Sequence, residues 1–491
     1  MTADGQGAPS YLRRVYPLDA HELTEEQIAV AFAMTSRRPE PFDEIAQQVS
    51  QEKAADFHER WVLGYGHGSV AEHAVVHLAV ENISRLACDT LEDNRLASYT
   101  EKSSRYQVMP QDYFHFPGEL SETTELCELY SQACRTLFQE YREFIDVAMD
   151  YLRRTNAKGE RESDSAYNMR LRRFATDSCR AVLPAATLTN VGVTVNARVL
   201  EHAISKLLSS GLAEERDLGR ELAERGREIT PTLIKYADRN QYLVENRERQ
   251  EGLAGEFINL DAGSDLISSA DSPSQGLPEP VRLAHWDSQA EEKIAAALLY
   301  RQSGFGYQHV WEQVVNMPVE QRREVLTRCL TGLGPHDAPV REFELADYTF
   351  EFAMDYGAYR EFKRHRMMSY VPQPLTVLNG FQVPVLVSDS GLEDRFRDAM
   401  KRTENAFRQV GGPHPLAAQY LVTHAHYQRV LAKINVRQCF HLFKLRTSHL
   451  AHFAIREPVI QAMKLVLETH PGLFRHLKLR DYPDWWPERW D

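Results

Sequence analysis

The chain has 491 residues and a net charge of −13, with a hydrophobic share of 43% and a charged share of 26%. These values are typical of a soluble globular protein, and the length predicts two domains of roughly 200 residues each. The acidic balance argues against a surface that binds nucleic acid, although arginines focused in one cleft would still hold a small phosphorylated ligand.

Targeting segments and cysteines narrow the class further. No run of about eighteen apolar residues occurs, and residues 1–10 have neither a basic start nor an apolar stretch, so we expect no membrane span and no signal peptide. A cytoplasmic protein is the simplest expectation. The six cysteines lack C-x-x-C spacing, which predicts reduced, mostly buried thiols and no metal site.

Apolar periodicity and alternation predict helices and strands on both sides of a loop-like stretch. In chain order they are a helix at 28–36, a strand at 73–79, helices at 123–153, 212–229 and 294–301, and a strand at 347–352. Residues 246–280 are rich in Gly, Ser, Asp and Pro and predict a linker between domains at 11–245 and 281–491. The expected fold class is α+β, with helices dominant.

Three markers recur in the same order in both halves. They are a Gly-His or Gly-Pro-His turn at 66–73 and 334–343, an arginine-rich segment at 93–106 and 364–374, and an Asn-x-Arg helix at 196–202 and 435–441. A chance match at one marker is common, but three in register are not. The sequence therefore predicts an internal duplication of a whole domain.

The first arginine-rich segment holds Arg95, Ser98, Glu101, Ser103 and Arg105 within eleven residues. Hydroxyl groups, nearby N–H groups and a forked guanidinium suit a phosphate. Solvated polar loops have the same composition, and spacing alone does not decide between these two interpretations.

The second Asn-x-Arg helix carries polar residues among large apolar ones. Helical geometry puts Asn435 and Arg446 on nearly one line and makes Arg437 and His441 neighbours. The pattern fits either a partly buried polar site or an exposed face. In the first copy, Leu207 stands at the position of Arg446.

These segments resemble the flavin-dependent thymidylate synthases, whose signature is R-H-R-x-x-S-x-N-E-x-S-x-R-Y. An H-x-[ST]-x-x-E-H element precedes it, and A-R-x-x-L-P and N-x-R-S-x-x-H-F-x-x-L-R segments follow it. The first half matches at His67, Ser69, Glu72, His73, Arg95, Ser98, Glu101, Ser103, Arg105, Tyr106, Arg180, Leu183, Pro184, Asn196, Arg198 and His202. The second half matches at Arg364, His365, Arg366, Ser369, Asn435, Arg437, His441, Leu445 and Arg446. The resemblance implies two tandem domains of that fold, each with a mixed or antiparallel sheet.

Members of that family are homotetramers that bind FAD and dUMP where subunits meet. In this chain the parts of the nucleotide site that survive are complementary: Arg364 and Arg446 in the second half, and Glu101, Ser103, Arg105 and Arg180 in the first. The resemblance implies one complete composite site made by unlike halves and one abandoned site. A homodimer would then replace the family's homotetramer.

The resemblance further implies reductive methylation of dUMP to dTMP, with methylenetetrahydrofolate as carbon donor and NADPH as reductant of FAD. Arg446 would be the catalytic residue, because it would polarise the pyrimidine near N3. The implied FAD ligands are Ser69, Glu101, His365, Arg366, Asn435, Arg437 and His441. Asn196, Arg198 and His202 would hold a second flavin or be relics.

Some positions depart from the family pattern. Glu361 replaces the usual Gln three residues before Arg364, Thr100 replaces an Asn, and Met367 and Met368 lie where the flavin edge is expected. Each change fits a different pyrimidine nucleotide or a different one-carbon donor. The alternative function is a non-catalytic protein that binds nucleotide or flavin, or a scaffold, on the duplicated fold.

Overall fold

The computed structural model describes residue 18 and residues 22–36, 38–64, 67–258 and 278–486. Within these ranges no helix combines the length and the apolar character that crossing a membrane requires. Residue 11, the expected start of the first domain, lies outside the described part of the chain.

The first half contains nine helices and three strands among its described residues. In chain order they are α1 (Glu25–Met34), α2 (Phe42–Gln47), α3 (Gln51–Phe57), β1 (Val75–Ser84), α4 (Arg85–Leu91), β2 (Ala97–Glu101), α5 (Thr124–Thr155), α6 (Asp164–Cys179), β3 (Leu188–Asn196), α7 (Ala197–Leu208), α8 (Ala213–Ile229) and α9 (Gln241–Phe257). The helices predicted at 123–153 and 212–229 are confirmed as α5 and α8.

The second half follows the same order, with one strand added before its helices and three helices instead of two between its last two strands. Its described elements are β4 (Val281–Trp286), α10 (Ala290–Ser303), α11 (Tyr307–Val315), α12 (Val319–Leu330), β5 (Asp347–Asp355), α13 (Tyr356–Phe362), β6 (Ser369–Pro372), α14 (Val385–Asp389), α15 (Glu393–Gly411), α16 (Pro415–Ala418), β7 (Tyr427–Asn435), α17 (Val436–Arg446), α18 (Phe453–Thr469) and α19 (Pro471–Phe474). The strand predicted at 347–352 forms the first part of β5.

Each half has one antiparallel sheet. The strand order is β1-β3-β2 in the first half and β4-β5-β7-β6 in the second. Strands β1, β2 and β3 therefore correspond to β5, β6 and β7, which bears out the expected fold class. In both copies an asparagine ends the last strand and caps the following helix: Asn196 Oδ1 accepts from a backbone N–H at 2.9 Å, and Asn435 Oδ1 does so at 2.8 Å.

The two halves pack against each other through reciprocal backbone hydrogen bonds. Ala185 N donates to Val422 O at 2.8 Å, and the corresponding His424 N donates to Leu183 O at 3.0 Å. Helices α5 and α15 also pack together, with the rings of Phe144 and Phe396 stacked at 6.2 Å. With the halves packed in this way, the second half's arginine-rich segment lies beside residues 101–106 of the first half.

The loop-like conformation expected for the first part of the linker is wrong. Residues 246–257 belong to α9, whose glutamate, glutamine and arginine side chains lose little freedom in a helix. Asn240 caps that helix, and this local stability offsets the cost of Gly252 and Gly255. Residues 259–277 lie outside the described ranges, so the domain boundaries stay a prediction.

Candidate active site

A cavity of about 290 Å³ lies where the two halves meet. Its first-half walls come from the end of β2, the segment after it and the turn that follows α6; its second-half walls come from α13, the loop after it and the last residue of α17. It is lined by Arg85, Glu101, Lys102, Ser103, Ser104, Arg105, Tyr106, Arg180, Gly357, Arg360, Glu361, Arg364, His424 and Arg446. The six residues expected to bind or activate the nucleotide are therefore together, and they meet within a single chain.

Asp177 on α6 orients two arginines of the cavity. Its carboxylate accepts two hydrogen bonds of 3.0 Å from Arg105, one from Nε and one from Nη2. It also lies 3.3 Å from Nε of Arg180, three residues along the chain. Arg180 in turn donates to Ser104 Oγ at 3.3 Å. A bidentate pair restricts the guanidinium plane, so the two arginines present fixed donors to the cavity.

Glu101 lies behind the arginines as a buried anion. Its side chain is 5% exposed, and it accepts hydrogen bonds from Arg85 at 2.6 Å, from Arg360 at 2.6 Å and from Thr189 at 2.9 Å. Burial alone would raise the pKa of the Glu101 carboxyl, but Arg360 and Arg85 outweigh burial and lower the pKa to about 2. Glu101 therefore stays ionised and holds arginines from both halves in place.

Arg446 is held by a neutral histidine. Its Nε donates to His365 Nε2 at 2.9 Å, and its Nη2 donates to the backbone oxygen of Glu361 at 3.2 Å. Burial, together with the positive charge of Arg446 and the neighbouring His441, lowers the pKa of His365 to about 3. His365 can thus accept from Arg446 at neutral pH, which orients the guanidinium.

Four residues of the site were missed from the sequence: Arg85, Arg360 and His424, which line the cavity, and Asp177, which contacts two of its arginines from outside the lining. One signal could have found Arg360. It stands on α13 at the position that Asp89 occupies on α4, and these residues of opposite charge pair with each other at 3.1 Å across the halves. For Arg85, Asp177 and His424, no neighbouring sequence pattern indicates the residues that they contact.

Some polar atoms of the cavity have no hydrogen-bond partner. Arg180 Nη2, Arg85 Nε and both ring nitrogens of His424 are buried and unsatisfied. Buried polar groups without partners cost free energy, so groups of this kind around a cavity indicate a polar ligand or ordered water.

The expected flavin ligands are only partly brought together. A second cavity of about 230 Å³ shares Arg364 with the first and is lined by Glu92, Ser98, Tyr99, Lys363, Arg364 and Arg366. Neither His365 nor His441 lines this second cavity, and their rings lie 5.4 Å apart. Asn435 is used as a helix cap, and Arg437 is bound to Glu344 at 2.9 Å and to Pro339 O at 2.7 Å.

Ser69 does not join this set within the chain. It lines a separate cavity of about 300 Å³ in the first half, together with His67, His73 and Trp61. The reason is that the turn carrying Ser69 precedes β1 and packs on its own half, whereas the head Arg364-His365-Arg366 follows α13. The expectation that Ser69 lies near the other flavin ligands is not met inside one chain.

Cys88, Glu92 and Glu101 bring possible metal-ligating atoms within 4.8 Å of one another. Burial raises the pKa of the Cys88 thiol and of the Glu92 carboxyl, which favours their neutral forms. The charge of Glu101 is already matched by Arg85 and Arg360. Two guanidinium groups beside neutral acids do not suit a divalent cation.

Comparisons with known proteins agree with this geometry. The family model described as "Thymidylate synthase complementing protein" matches residues 18–232 and 283–472. A flavin-dependent thymidylate synthase of Clostridium tetani is 27% identical over 213 residues, 43% of this chain and 82% of that protein. The chain belongs to the flavin-dependent thymidylate synthase family. Two separate matched regions confirm the predicted tandem of flavin-dependent thymidylate synthase-like domains.

Two further proteins match different shares of the chain. A protein of Chlamydia muridarum named "UPF0159 protein" is 31% identical over 440 residues, which are 88% of this chain and 82% of that protein. A solved flavin-dependent thymidylate synthase from Helicobacter pylori, complexed with FAD and dUMP, is 18% identical with a TM-score of 0.32 and covers 41% of this chain and 100% of that chain. The family assignment does not depend on that structure.

Proposed function

We propose that the chain catalyses the reductive methylation of dUMP, or a closely related pyrimidine nucleotide, to dTMP. FAD is the cofactor, and methylenetetrahydrofolate and NADPH are the cosubstrates. The observation that carries the proposal is the convergence of Arg364 and Arg446 with Glu101, Ser103, Arg105 and Arg180 around one cavity. Neither half alone contains this set.

The cavity's charge supports a phosphorylated ligand. Six arginines and Lys102 line it against the carboxylates of Glu101 and Glu361, in a chain whose net charge is −13. A local excess of positive charge inside a cleft attracts an anion. In the proposed complex, Arg105, Arg180 and the Ser103 hydroxyl bind the phosphate, because guanidinium forks and hydroxyls match phosphate oxygens.

Arg446 activates the pyrimidine in this proposal. Its guanidinium is oriented by neutral His365 and by the backbone oxygen of Glu361. A fixed cation beside the ring stabilises negative charge that develops at the pyrimidine oxygen or N3 when the ring is attacked, and it does so without a reorganisation cost. Such a route requires no cysteine nucleophile.

The second cavity fits part of FAD. Arg364, Arg366 and Lys363 offer three cations, and Ser98 offers a hydroxyl, which together suit a diphosphate beside the nucleotide cavity. FAD, once bound, supplies the hydride chemistry. In this proposal the protein's own residues bind the flavin beside the substrate, and neutral His365 orients Arg446.

We propose that the active form is a homodimer, which would bring four thymidylate synthase-like domains together in one assembly. Light scattering on the purified protein tests the assembly. A monomer that turns over would refute the dimer without affecting the composite site. The cytoplasmic location stays a prediction.

Purification tests the enzymatic proposal directly. We expect a yellow protein whose flavin absorbance changes when dUMP is added and which forms dTMP with methylenetetrahydrofolate and NADPH. A colourless protein that takes up no FAD would refute the proposal. Binding of FAD and dUMP without turnover would instead indicate a non-catalytic nucleotide-binding protein.

A further inference from the structure

Glu361 lies inside the cavity between three arginines. Its Oε1 is 3.7 Å from Arg105 Nη1 and 3.5 Å from Arg180 Nη2, and its Oε2 is 3.3 Å from Arg446 Nη1. The Glu361 side chain is 12% exposed, so the contacts are largely shielded from solvent. One carboxylate therefore bridges guanidinium groups from both halves.

A second carboxylate contacts two of the same arginines from a different side. Asp177 binds Arg105 and Arg180 but does not line the cavity. Asp177 can thus remain in place when a ligand enters, whereas Glu361 occupies space and donors that an anionic ligand would use. The two acids are chemically alike and differ in position.

We propose that Glu361 is a displaceable internal anion: it neutralises Arg105, Arg180 and Arg446 in the free protein, and the dianionic phosphate of the incoming nucleotide takes its place. The inference rests on the proposed function, because it names how that site selects its ligand. Two anions within one arginine cluster repel each other, so the carboxylate and the phosphate cannot both keep these contacts. A neutral nucleoside gains nothing from the exchange and leaves Glu361 bound.

The consequence is a charge requirement for reaching the three arginines. A ligand reaches them only if it carries enough negative charge to replace a carboxylate that is already paired with three guanidinium groups. Nucleoside 5′-monophosphates meet this requirement, whereas unphosphorylated nucleosides leave Glu361 in place. Glu361 lowers the affinity for every anion, and the discrimination between nucleotide and nucleoside comes from the phosphate that replaces it.

The test compares Glu361→Gln with Asp177→Asn in the FAD-loaded protein by titration calorimetry. The ligands are dUMP, inorganic phosphate and deoxyuridine. For Glu361→Gln we expect about tenfold tighter binding of dUMP and of phosphate, which corresponds to about 1.4 kcal/mol, and no change for deoxyuridine. For Asp177→Asn we expect weaker binding of both anions, because the arginines lose their orientation.

Glu351→Gln is the matched control. Glu351 pairs with Arg282 at 2.7 Å and with Arg429 at 3.1 Å in the same half, but it does not line the cavity. Its substitution leaves all three affinities unchanged. Thermal unfolding of each variant verifies that the chain is folded, and Glu361→Asp provides a second variant that keeps the charge and keeps the wild-type affinity for phosphate within about twofold.

The outcomes separate this inference from the proposed function. If dUMP binds the wild-type protein and Glu361→Gln equally, or binds the variant more weakly, the displacement model is wrong and the proposed function stands. If Glu361→Gln binds phosphate more tightly but neither protein binds dUMP, the proposed substrate is wrong and the role of Glu361 stands. If Glu361→Gln also bound deoxyuridine about tenfold more tightly than the wild type, displacement by phosphate would be wrong.

Discussion

The duplication predicts a counterpart of the cavity between the halves. It would be made from residues 93–95 of the first half, which correspond to 364–366, and from residues 372–376 of the second half, which correspond to 101–105. Corresponding positions differ in one direction. Leu207 stands where the cavity has Arg446, and Gln419 where it has Arg180. Pro372 stands at the position that corresponds to Glu101.

The protein itself satisfies the groups at the counterpart. Leu207 is fully buried in the first half's core, and Gln419 Oε1 accepts from Leu375 N at 3.0 Å. Asp93 accepts from Tyr370 OH at 2.8 Å across the halves. The counterpart positions thus hold an apolar core side chain and a satisfied neutral amide, whereas the cavity between the halves has arginines with unsatisfied donors.

Removing a cavity arginine has the largest expected effect. Arg446→Ala and Arg180→Ala each lower the turnover number for dUMP by about 100-fold to 1,000-fold, because each deletes a fixed charge at the reacting nucleotide. Gln419→Ala, at the counterpart, changes it by less than about threefold. Steady-state kinetics on FAD-loaded proteins measures both. An equal loss for Gln419→Ala would mean that the counterpart is a working site.

Removing Leu207 affects stability instead. Leu207→Ala lowers the free energy of unfolding by about 2–5 kcal/mol, because it leaves a cavity in the core. Leu207→Met keeps the volume and costs less than about 1.5 kcal/mol. Urea unfolding monitored by circular dichroism gives both values. A loss below about 1 kcal/mol for Leu207→Ala would contradict the interpretation as core packing.

His365 makes the stability of the protein depend on pH. The counterpart lacks this effect, because Asn94 stands at the corresponding position. The folded-state pKa of His365 is lowered from 6.5 to about 3. The unfolded chain therefore binds the proton first, and the stability that neutral His365 contributes is present above pH 6.5 and is lost as the pH falls toward 3. Replacement by Asn makes this decline shallower, by at most about 1.4 kcal/mol per pH unit.

Urea unfolding of wild type and His365→Asn at several pH values tests this effect. The difference in slope should appear only below pH 6.5. Identical slopes in the two proteins would show that folded His365 takes up its proton as readily as in the unfolded chain, and the lowered pKa that supports the acceptor role toward Arg446 would be wrong.

The smallest expected effects are changes in FAD affinity when the arginines of the two Asn-x-Arg helices are replaced. Arg437→Ala weakens FAD binding by about tenfold if the second half alone holds the flavin. Arg198, paired with Glu72 and 55% exposed, is its counterpart. Arg198→Ala costs at most about 1 kcal/mol of stability and leaves FAD affinity unchanged. Flavin fluorescence quenching measures the affinities, and an equal loss in both variants would indicate two flavin sites.

Local patterns were sufficient for much of the fold. Long amphipathic stretches predicted α5 and α8, and the repeated order of markers predicted two copies, because periodicity and duplication are visible along one chain. The loop-like interpretation of 246–257 failed because Gly252 and Gly255 were grouped with the Gly- and Ser-rich residues that follow, although most of their neighbours favour a helix. The composition of a segment also does not show that a residue before it, here Asn240, caps a helix.

The nucleotide set was predictable because each residue belongs to a spaced motif. The network behind it was not, since its contacts join residues far apart in the chain. Arg360 meets Glu101 at 2.6 Å across the halves, and no spacing rule relates those positions. Likewise, the bridging position of Glu361 depends on how α13 packs against the turn that carries Arg180. Only the assembled halves show that a carboxylate occupies the arginine cluster.

We propose that each chain has one nucleotide site, made by unlike halves. Titration of the FAD-loaded protein with dUMP in a calorimeter tests this stoichiometry, because the molar ratio counts sites. We expect one dUMP per chain and loss of that binding in Arg180→Ala. Two dUMP molecules per chain, or one that survives Arg180→Ala, would contradict it.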